Sequence, residues 1–459
     1  MVLACACGAS TPHSTATAAK KRGHVTVAAS VDPKLPRKGT LFTYWMTKDE
    51  LAIVMSPSKD LTPLARLLDR LEVVGEVDLS KGPVEYPLPA QGPDIIVSAV
   101  LDTQHDGIGS LLGAVRTASG DLTGDSKPGD GDIALEQVLG PKDEPEACTG
   151  ANHELVTLDA PEVAGAMGNA TQRRACVILP ASYATSGDRR YPVVYEFPGW
   201  GGNDAHYITQ LEHDKLFMAA APEAILVLVD TSTKSGSSYL VDSPRTGAWD
   251  TYVAKRLIPA IDAKFRTIAR RDGRATAGLS TGGGGSLMWG LRHPELIGVV
   301  TASAPDGPDI IQWLFGAPMP AWTIAMLKVE AATGGAGFFA SYGNDWSPDD
   351  SPRGWALPVD LATGEPVPAV VAKWREHGSP SSWLDDPARA AAIKQAFDGN
   401  LCLTVGKKDE FGLYPALQAF ADKLTKLGVR YDMRLAEGGH IDPDVMTLAF
   451  KCAAAHLAH

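Results

Sequence analysis

The sequence lacks the features of a nucleic-acid-binding or membrane-spanning chain. Its 459 residues include 42 Lys and Arg against 54 Asp and Glu, a formal net charge of −12. Phosphate binding needs clustered basic side chains, so we do not expect nucleic acid as a partner. No apolar run approaches the roughly 20 residues of a transmembrane helix. We therefore expect no transmembrane span.

Cysteine is also scarce, and no CxxC or Cys/His spacing suggests a zinc site. Beyond two cysteines near the N-terminus, Cys148, Cys176, Cys402 and Cys452 remain. In an oxidising compartment the pairs 148–176 and 402–452 would be sensible disulfides. Four cysteines allow three pairings, and four buried free thiols are an equal alternative.

The first residues of the chain include the motif VLAC, which ends at Cys5. This motif resembles the end of a bacterial lipoprotein signal, where a cysteine receives lipid. The charged region and apolar run that precede such a site are absent. We interpret 1–22 as a flexible leader or lipoprotein-type N-terminus, with Cys5 or Cys7 as candidate lipid anchors. Together with the cysteine usage, this favours export in a bacterium, to the periplasm, the cell surface or the medium. The alternative is an ordinary flexible tail.

Two kinds of pattern divide the rest of the chain. Short β-like runs between turn signals predict a β-rich, β-sandwich-like domain over 23–140. Few signals occur over 141–171, which we interpret as a linker. Over 172–459 strands and helices alternate, which predicts an α/β domain with a mostly parallel sheet covered on both faces.

A Trp-rich stretch over about 306–396 interrupts the alternation. It contains six tryptophans among many Pro and Gly residues. Long irregular insertions in compact domains are usually functional, so we interpret it as a lid and a wall of the substrate site. The alternative is that these tryptophans pack a structural subdomain, which would account for most of them.

The strongest local signal is GLSTG at 278–282. A strand precedes it and a helix follows, which is the context of a nucleophile turn at the top of an α/β sheet. Glycines two positions either side of Ser280 avoid collision with the neighbouring strand and helix. Ser280 is therefore the candidate nucleophile, and it needs a base to remove its proton.

His440 is the best candidate for that base. It follows a predicted strand and the loop EGG, at the end of the sheet where Ser280 lies. His293 lies about three turns along the helix after Ser280, at the wrong end. The acid should follow a strand between the two, which favours Asp409, with Glu410 as the alternative.

A developing oxyanion needs two backbone N–H groups. Thr281, directly after the nucleophile, should supply one of them. The loop FPGWGG at 197–202 should supply the other, from the amide of Trp200, with glycines allowing close approach. The alternative for this loop is a plain tight turn.

These residues together resemble a family of α/β-hydrolase esterases. It includes esterase D-like proteins, enterochelin esterases, feruloyl esterases and the antigen 85 acyltransferases. The resemblance covers 172–455 and rests on YPVVYEFPGWGG, GLSTGGG, GKKDEFG and EGGH. It implies an α/β-hydrolase fold and a triad of Ser280, His440 and Asp409. Two departures stand out: Pro198 replaces a common His, and four consecutive glycines, Gly282 to Gly285, open the helix.

We expect a serine esterase that hydrolyses a small-molecule ester through a covalent acyl-enzyme and needs no cofactor. One alternative is an acyltransferase with the same triad, and another is an inactive surface binding protein. Calcium is a further hypothesis for the acidic turns of the N-terminal part. Their spacing lacks a full ligand set, so solvated turns are the preferred interpretation. The aspartates concerned are Asp102, Asp106, Asp121, Asp125, Asp130 and Asp132.

Overall fold

The protein is known here from a computed structural model. It describes residues 21–54, 70–90, 92–103, 121–139, 148–209, 211–316, 319, 323, 326–327, 330, 337–351, 353–360, 363 and 365–458. Cys5, Cys7, most of the predicted leader, Asp106 and Trp322 lie outside the described residues.

The N-terminal part consists of two small β-sheets. Their strands are β1 (Arg22–Val27), β2 (Lys38–Thr47), β3 (Glu72–Asp78), β4 (Val84–Pro87), β5 (Ile95–Asp102), β6 (Asp121–Asp125), β7 (Ile133–Leu135) and β8 (Gln137–Leu139). Helix α1 (Lys48–Val54) follows β2, and a 3-10 turn (Leu79–Lys81) follows β3. One sheet has the order β4-β1-β7 and the other β3-β2-β5-β6-β8.

The two-residue repeat of these strands explains how the sheets pack. On β5, Val97, Ala99 and Leu101 belong to the buried cluster shared by both sheets. Val100, which points the other way, belongs to the large cluster that also contains Val156 of the α/β part. Because alternate residues of a strand face opposite sides, the five-stranded sheet buries apolar residues on both faces.

The second part is built around an eight-stranded sheet. Its strands are β9 (His153–Asp159), β10 (Gln172–Ile178), β11 (Val193–Phe197), β12 (Ile225–Val229), β17 (Arg274–Gly278), β18 (Val299–Ser303), β19 (Leu401–Gly406) and β20 (Asp432–Ala436). Between β12 and β17 lie two short hairpins, β13 (Ser232–Thr233) with β14 (Gly236–Ser237) and β15 (Asp242–Ser243) with β16 (Gly247–Ala248).

The helices of this part follow or separate the strands. They are α2 (Asp204–Thr209), α3 (His213–Ala220), α4 (Trp249–Tyr252), α5 (Ile258–Lys264), α6 (Thr281–Arg292), α7 (Ile310–Phe315), α8 (Phe338–Trp346), α9 (Pro368–Gly378), α10 (Pro380–Trp383), α11 (Pro387–Phe397), α12 (Leu413–Lys426) and α13 (Pro443–His456). A π-helical turn (Val253–Leu257) joins α4 to α5. The 3-10 turns Pro161–Val163 and Arg271–Gly273 complete the elements.

The sheet is mostly parallel, which confirms the predicted α/β fold class. Its order is β20-β19-β18-β17-β11-β12-β10-β9. The six strands from β20 to β12 are parallel to one another, and β10 is antiparallel to both β12 and β9. Every residue of β11, β12, β17, β18 and β19 is buried, as expected for parallel strands covered on both faces.

Two details of the sequence-based organisation were wrong. The predicted linker over 141–171 contains β9, which pairs with β10 over seven residue pairs and forms the edge of the large sheet. The insertion over 306–396, predicted as irregular, contains five helices among its described residues, α7 to α11, the last of which extends past its end. Prolines begin three of those helices, because Pro fits the first helical turn. The domain boundaries themselves stay predictions.

Most of the described tryptophans of the insertion have a packing role. Trp346, Trp355, Trp374 and Trp383 are all at most 5% exposed. Trp346 and Trp374 lie against each other and against Tyr342, with ring centroids 4.6 to 5.4 Å apart. The alternative interpretation, a packed subdomain, therefore describes these four side chains.

Both predicted cysteine pairs are disulfides. Cys148 is bonded to Cys176 on β10, and Cys402 on β19 is bonded to Cys452 on α13. The second bond links the central sheet to the last helix. Among the residues that the structure describes, only Cys402, Cys452 and His456 lie close enough together to suggest a metal site. Because both thiols are in the disulfide, they offer no thiolate ligand.

The acidic residues of the N-terminal sheets hold turns and strand ends. Asp121 accepts hydrogen bonds from the amide and hydroxyl of Thr103 at 2.7 and 3.1 Å. Asp125 accepts one from the hydroxyl of Ser98 at 2.5 Å. Over the described ranges, these aspartates do not gather into a group of three that could hold an ion. None of the helices within these ranges is both long and apolar enough to span a bilayer.

Candidate active site

Ser280 lies at a sharp turn between a buried strand and a buried helix. Strand β17 ends at Gly278, and helix α6 begins at Thr281. The backbone of Ser280 has φ 60° and ψ −126°, a conformation that residues with a side chain rarely adopt. Such strain costs about 1–3 kcal/mol and persists only where the surrounding structure enforces it. The predicted order of strand, tight turn and helix is present, and Ser280 itself has the strained backbone.

The two glycines of the motif are required by space. A Cβ atom on Gly278 would lie 2.3 Å from the carbonyl oxygen of Gly282. One on Gly282 would lie 1.9 Å from the carbonyl oxygen of Phe197, at the end of β11. Both distances are far below a van der Waals contact, so the turn can close only without these side chains.

His440 and Asp409 form a buried pair. Nδ1 of His440 lies 2.7 Å from Oδ2 of Asp409, and the side chains are 6% and 0% exposed. The other carboxylate oxygen of Asp409 accepts the amides of Phe411 at 3.0 Å and Leu413 at 3.2 Å. These bonds fix the carboxylate, which in turn fixes the imidazole.

The environment of His440 favours its charged form. Burial lowers the pKa of the imidazole, but the hydrogen bond to Asp409 and the charge of that residue outweigh this effect. The charges of Asp306 and Glu410 act in the same direction as Asp409. The net result is a raised pKa for His440, so the imidazolium formed when it accepts a proton is stabilised.

Asp409, the acid favoured from the sequence, and its alternative Glu410 contact different parts of His440. Asp409 contacts the ring, whereas Oε2 of Glu410 accepts the backbone amide of His440 at 2.8 Å. A Cβ atom on Gly439 would lie 2.5 Å from Oε1 of Glu410, so this glycine lets the carboxylate reach the loop.

The sheet order brings these residues to one edge. Strands β17, β18, β19 and β20 are consecutive and parallel. Ser280 follows β17, Asp409 follows β19 and His440 follows β20. Because the carboxyl ends of parallel strands meet at one edge, all three lie at the same end of the sheet. His293 ends helix α6 and bonds Asp250 instead, with Nε2 2.6 Å from Oδ1.

The loop after β11 reaches the same edge. A Cβ atom on Gly199 would lie 3.5 Å from Cβ of Ser280. Three of the loop's amides are engaged: Gly199 donates to the hydroxyl of Tyr207, Gly201 to Oγ of Ser237 at 2.9 Å, and Gly202 to the carbonyl of Gly199 at 2.9 Å.

The Trp200 amide differs from its neighbours. Within the described part of the chain, it donates to no protein acceptor. The amide of Thr281 is the first of helix α6, where amides have no partner inside the helix. Among the described residues, neither of these two N–H groups is engaged by a protein acceptor, and their role stays a prediction.

Four aromatic side chains line one side of this edge, and we call them the aromatic belt: Trp200, Phe338, Trp313 and Phe411. The Trp200 ring lies edge-on to Phe338 at 6.0 Å, and Phe338 lies edge-on to Trp313 at 6.3 Å. Nε1 of Trp313 donates to the carbonyl of Phe411 at 2.9 Å. Phe411 in turn lies edge-on to His440 at 5.0 Å.

Two residues of this belt, Phe338 and Phe411, are not among those predicted from the sequence. Phe411 stands beside the candidate acids in GKKDEFG and could have been found from that position. Phe338 has no local signal, because its place depends on how the insertion folds back over the loop of Trp200. Among the described tryptophans of the insertion, Trp313 contacts this edge, and the role of the insertion as a substrate-site wall stays a prediction.

Sequence comparisons find a family model and several relatives that match parts of the chain. Residues 167–429, more than half of the chain, match the family model described as "Putative esterase". An esterase of Mycobacterium tuberculosis is 38% identical over 143 residues, 30% of this chain and 30% of that protein. An endo-1,4-beta-xylanase/feruloyl esterase of Xylanibacter ruminicola is 32% identical over 133 residues, 27% of this chain and 18% of that protein.

Solved structures are similar at lower identity. A ferulic acid esterase aligns with a TM-score of 0.44 and 20% identity, covering 65% of this chain and 95% of its own. An S-formylglutathione hydrolase of Staphylococcus aureus aligns with a TM-score of 0.45 and 15% identity, covering 66% of this chain and 97% of its own. The alignments to the two curated relatives above cover less than a third of either relative's length.

Proposed function

The chain belongs to the esterase family of α/β hydrolases, and from this membership we propose that it hydrolyses carboxylic esters through Ser280, His440 and Asp409. The main support is the combination of a strained Ser280 with a buried His440–Asp409 pair at one edge of the sheet. A serine hydroxyl needs such a base, and a base of this kind needs a fixed acceptor on its far nitrogen.

The reaction begins with proton transfer from Ser280 to His440. Oγ of Ser280 attacks the ester carbonyl carbon, and the imidazole takes the hydroxyl proton. Asp409 holds the imidazole through Nδ1 at 2.7 Å and stabilises the imidazolium. The raised pKa of His440 makes this proton acceptance more favourable.

The amides of Trp200 and Thr281 would bind the oxyanion of the tetrahedral intermediate. His440 then donates its proton to the leaving alcohol, the C–O bond breaks, and the acyl group stays on Ser280. Water attacks this acyl-enzyme in the reverse sequence of proton transfers and releases the acid. No step requires a metal or an organic cofactor.

The aromatic belt supports an ester with an apolar or ring-bearing group. Trp200, Phe338 and Phe411 present rings next to the catalytic edge, where such a group would be in contact with them. We expect Phe338→Ala to raise KM for methyl ferulate more than for methyl acetate, which carries no ring. Equal effects on both esters would contradict this choice of substrate.

Paired histidine variants test the mechanism. His440 and His293 each bond a carboxylate at similar distance, 2.7 and 2.6 Å, but only His440 lies at the catalytic edge. We expect His440→Gln to lower kcat on p-nitrophenyl butyrate by about 10⁴-fold or more, and His293→Gln to keep it within about threefold.

Ser280→Ala provides the second arm. We expect it to abolish both hydrolysis and labelling by a serine-directed fluorophosphonate, with an unchanged circular dichroism spectrum. A Ser280→Ala variant as active as the wild type would exclude Ser280 as the nucleophile. A wild type that neither hydrolyses nor labels would favour an inactive binding protein, and products with an added alcohol in place of the acid would favour an acyltransferase.

We also propose that the protein is exported. Four cysteines paired in two disulfides support this location, because such bonds persist in oxidising compartments. Whether Cys5 or Cys7 carries lipid can be measured by metabolic labelling with palmitate in a bacterial host. Labelling lost in a Cys5→Ser or Cys7→Ser variant would identify the anchor, and an unlabelled cytoplasmic protein would contradict the proposal.

A further inference from the structure

Asp306 is a buried carboxylate attached to the turn of Ser280. It follows strand β18, which lies between the strands of Ser280 and Asp409, and it is 5% exposed. Its Oδ2 accepts the hydroxyl of Thr281 at 2.8 Å and the hydroxyl of Tyr342. The Asp306 amide donates to the carbonyl oxygen of Ser280 at 3.2 Å.

These contacts hold the peptide unit between Ser280 and Thr281. Its carbonyl oxygen accepts the amides of Asp306 at 3.2 Å and Gly284 at 2.9 Å. Its N–H group is the Thr281 amide that the proposed mechanism uses for the oxyanion. A Cβ atom on Gly284 would lie 3.3 Å from Cβ of Asp306, so the glycine lets this residue pack on the first turn of α6.

Structure alone does not require a carboxylate at this place. Among the described residues, no Lys or Arg forms an ion pair with Asp306, and burying an unpaired charge is costly. An asparagine could accept the same hydroxyls without that cost. The negative charge of Asp306 is therefore the property that a function must explain.

The titratable groups around Asp306 point to His440. Burial raises the pKa of Asp306 to about 6, while hydrogen bonds from Tyr342 and Thr281 and the charge of His440 oppose this rise. The charge of Asp409 acts with burial. The phenols of Tyr239 and Tyr342 also face the carboxyl, and both stay protonated because burial and Asp306 raise their pKa values. His440 is the cation that this carboxylate can stabilise.

We propose that Asp306 is a positioning residue of the esterase reaction. It holds the Ser280–Thr281 peptide in place through its contacts with both residues, and its charge acts on His440 in addition to that of Asp409. This inference rests on the proposed function. In its first role Asp306 fixes the direction of the Thr281 amide. In its second role it stabilises the imidazolium that forms as Ser280 attacks, because opposite charges favour each other strongly in a dry site.

The test is the pH profile of kcat/KM for Asp306→Asn. Asparagine keeps the shape and an acceptor oxygen but removes the charge. Since Asp306 favours protonated His440, its neutralisation should move the acid limb of the profile to lower pH. We also expect the plateau of kcat/KM to fall about tenfold, mainly in kcat, because the imidazolium of His440 loses the charge of Asp306 while Ser280 attacks.

Asp345→Asn is the matched control. Asp345 is likewise a fully buried carboxyl of the insertion, and it accepts the amide of Tyr239 at 2.6 Å and the hydroxyl of Thr246. The largest influences on the pKa of His440 come from burial, Asp409, Asp306 and Glu410 rather than from Asp345. Its variant should leave the acid limb in place.

Tyr342→Phe provides a second test of the same proposal if Asp306→Asn does not fold. Loss of the phenol raises the pKa of Asp306 further, so the acid limb should move in the same direction by a smaller amount. An acid limb that stays at the wild-type pH in the folded variant would overturn the proposal, even if the rate falls, because a merely structural role predicts that result.

The same experiments separate this inference from the proposed function. If Ser280→Ala hydrolyses esters as fast as the wild type, the proposed function fails, and the pH profiles of kcat/KM then do not report the protonation of His440. If hydrolysis depends on Ser280 and His440 but Asp306→Asn has the wild-type profile, only the role of Asp306 fails.

Discussion

Alanine at the first glycine of the run Gly282 to Gly285 should abolish activity. A Cβ atom on Gly282 would lie 1.9 Å from the carbonyl oxygen of Phe197 and 2.7 Å from the carbonyl carbon of Pro198. A relaxed C···O contact is about 3.3 Å, so β11 and α6 would have to separate by more than about 1 Å. A misplacement of that size at a catalytic site costs about 10²-fold in rate.

Alanine at the last glycine of the run should have the opposite effect on stability. A Cβ atom on Gly285 would lie 3.5 Å from Cδ1 of Leu240, which is an ordinary van der Waals contact. Glycine inside a helix is less stable than alanine by about 0.5–1 kcal/mol. Gly285→Ala should therefore raise Tm by about 2–4 °C per kcal/mol gained and leave kcat unchanged.

Thermal denaturation followed by circular dichroism, with p-nitrophenyl butyrate hydrolysis, measures both effects. Gly282→Ala should have a lower Tm than the wild type and lose activity at least about 100-fold. Full activity in Gly282→Ala, or a lower Tm in Gly285→Ala, would contradict the prediction that Gly282 has no room for a methyl group and Gly285 does. Either result would mean that the turn is looser than its contacts indicate.

Three further predictions concern the acids and the second disulfide. Asp409→Asn should lower kcat by about 10³- to 10⁴-fold and Glu410→Gln by less than about tenfold, since glutamine keeps the acceptor for the backbone of His440; equal losses would contradict this assignment. Burial raises the pKa of Asp345 in the folded protein to about 7. Between about pH 4 and 7 this carboxyl is ionised in the unfolded state but still protonated in the folded state, so the free energy of unfolding falls as the pH rises. The Tm of Asp345→Asn relative to the wild type should therefore increase over that interval, and a constant difference would exclude the effect. Replacement of Cys402 and Cys452 by Ser should lower the free energy of unfolding by up to about 4 kcal/mol in urea titrations, the value for a closed loop of 50 residues; an unchanged midpoint would contradict it.

The sequence predicts the main chemistry of the site because that chemistry depends on local order along the chain. A glycine-flanked Ser280 between strand and helix has few other meanings, and His440 follows the last strand of the sheet. Strand ends in a parallel sheet meet at one edge whatever lies between them. The same logic predicts the loop of Trp200 after β11.

The choice between Asp409 and Glu410 depends on information that the sequence does not contain. The two carboxylates are adjacent on one loop, and the path of that loop decides which of them reaches the imidazole. The amides of Phe411 and Leu413 turn Asp409 inward, and Glu410 is then directed to the backbone of His440. A propensity argument cannot distinguish these two neighbours, because both are common loop residues.

Asp306 and Phe338 could not be predicted for a different reason. Tyr342, the partner of Asp306, lies 36 positions later in the chain, within the insertion. Phe338 reaches the loop of Trp200 from the same helix, α8. Irregular sequence over 306–396 suggests loops, but buried rings such as Trp346 and Trp374 supply the contacts that stabilise its helices.

The second disulfide connects the acid and the base of the proposed triad. Strand β19 carries Cys402 and leads directly to Asp409, while helix α13 carries Cys452 and follows directly after the loop of His440. The disulfide therefore closes a loop that contains both residues. Because Asp409 and His440 both lie within this loop, the disulfide should limit how far they can separate when the edge of the sheet opens locally. An oxidised protein can thus keep the His440–Asp409 pair aligned even where the surrounding loops are exposed to solvent.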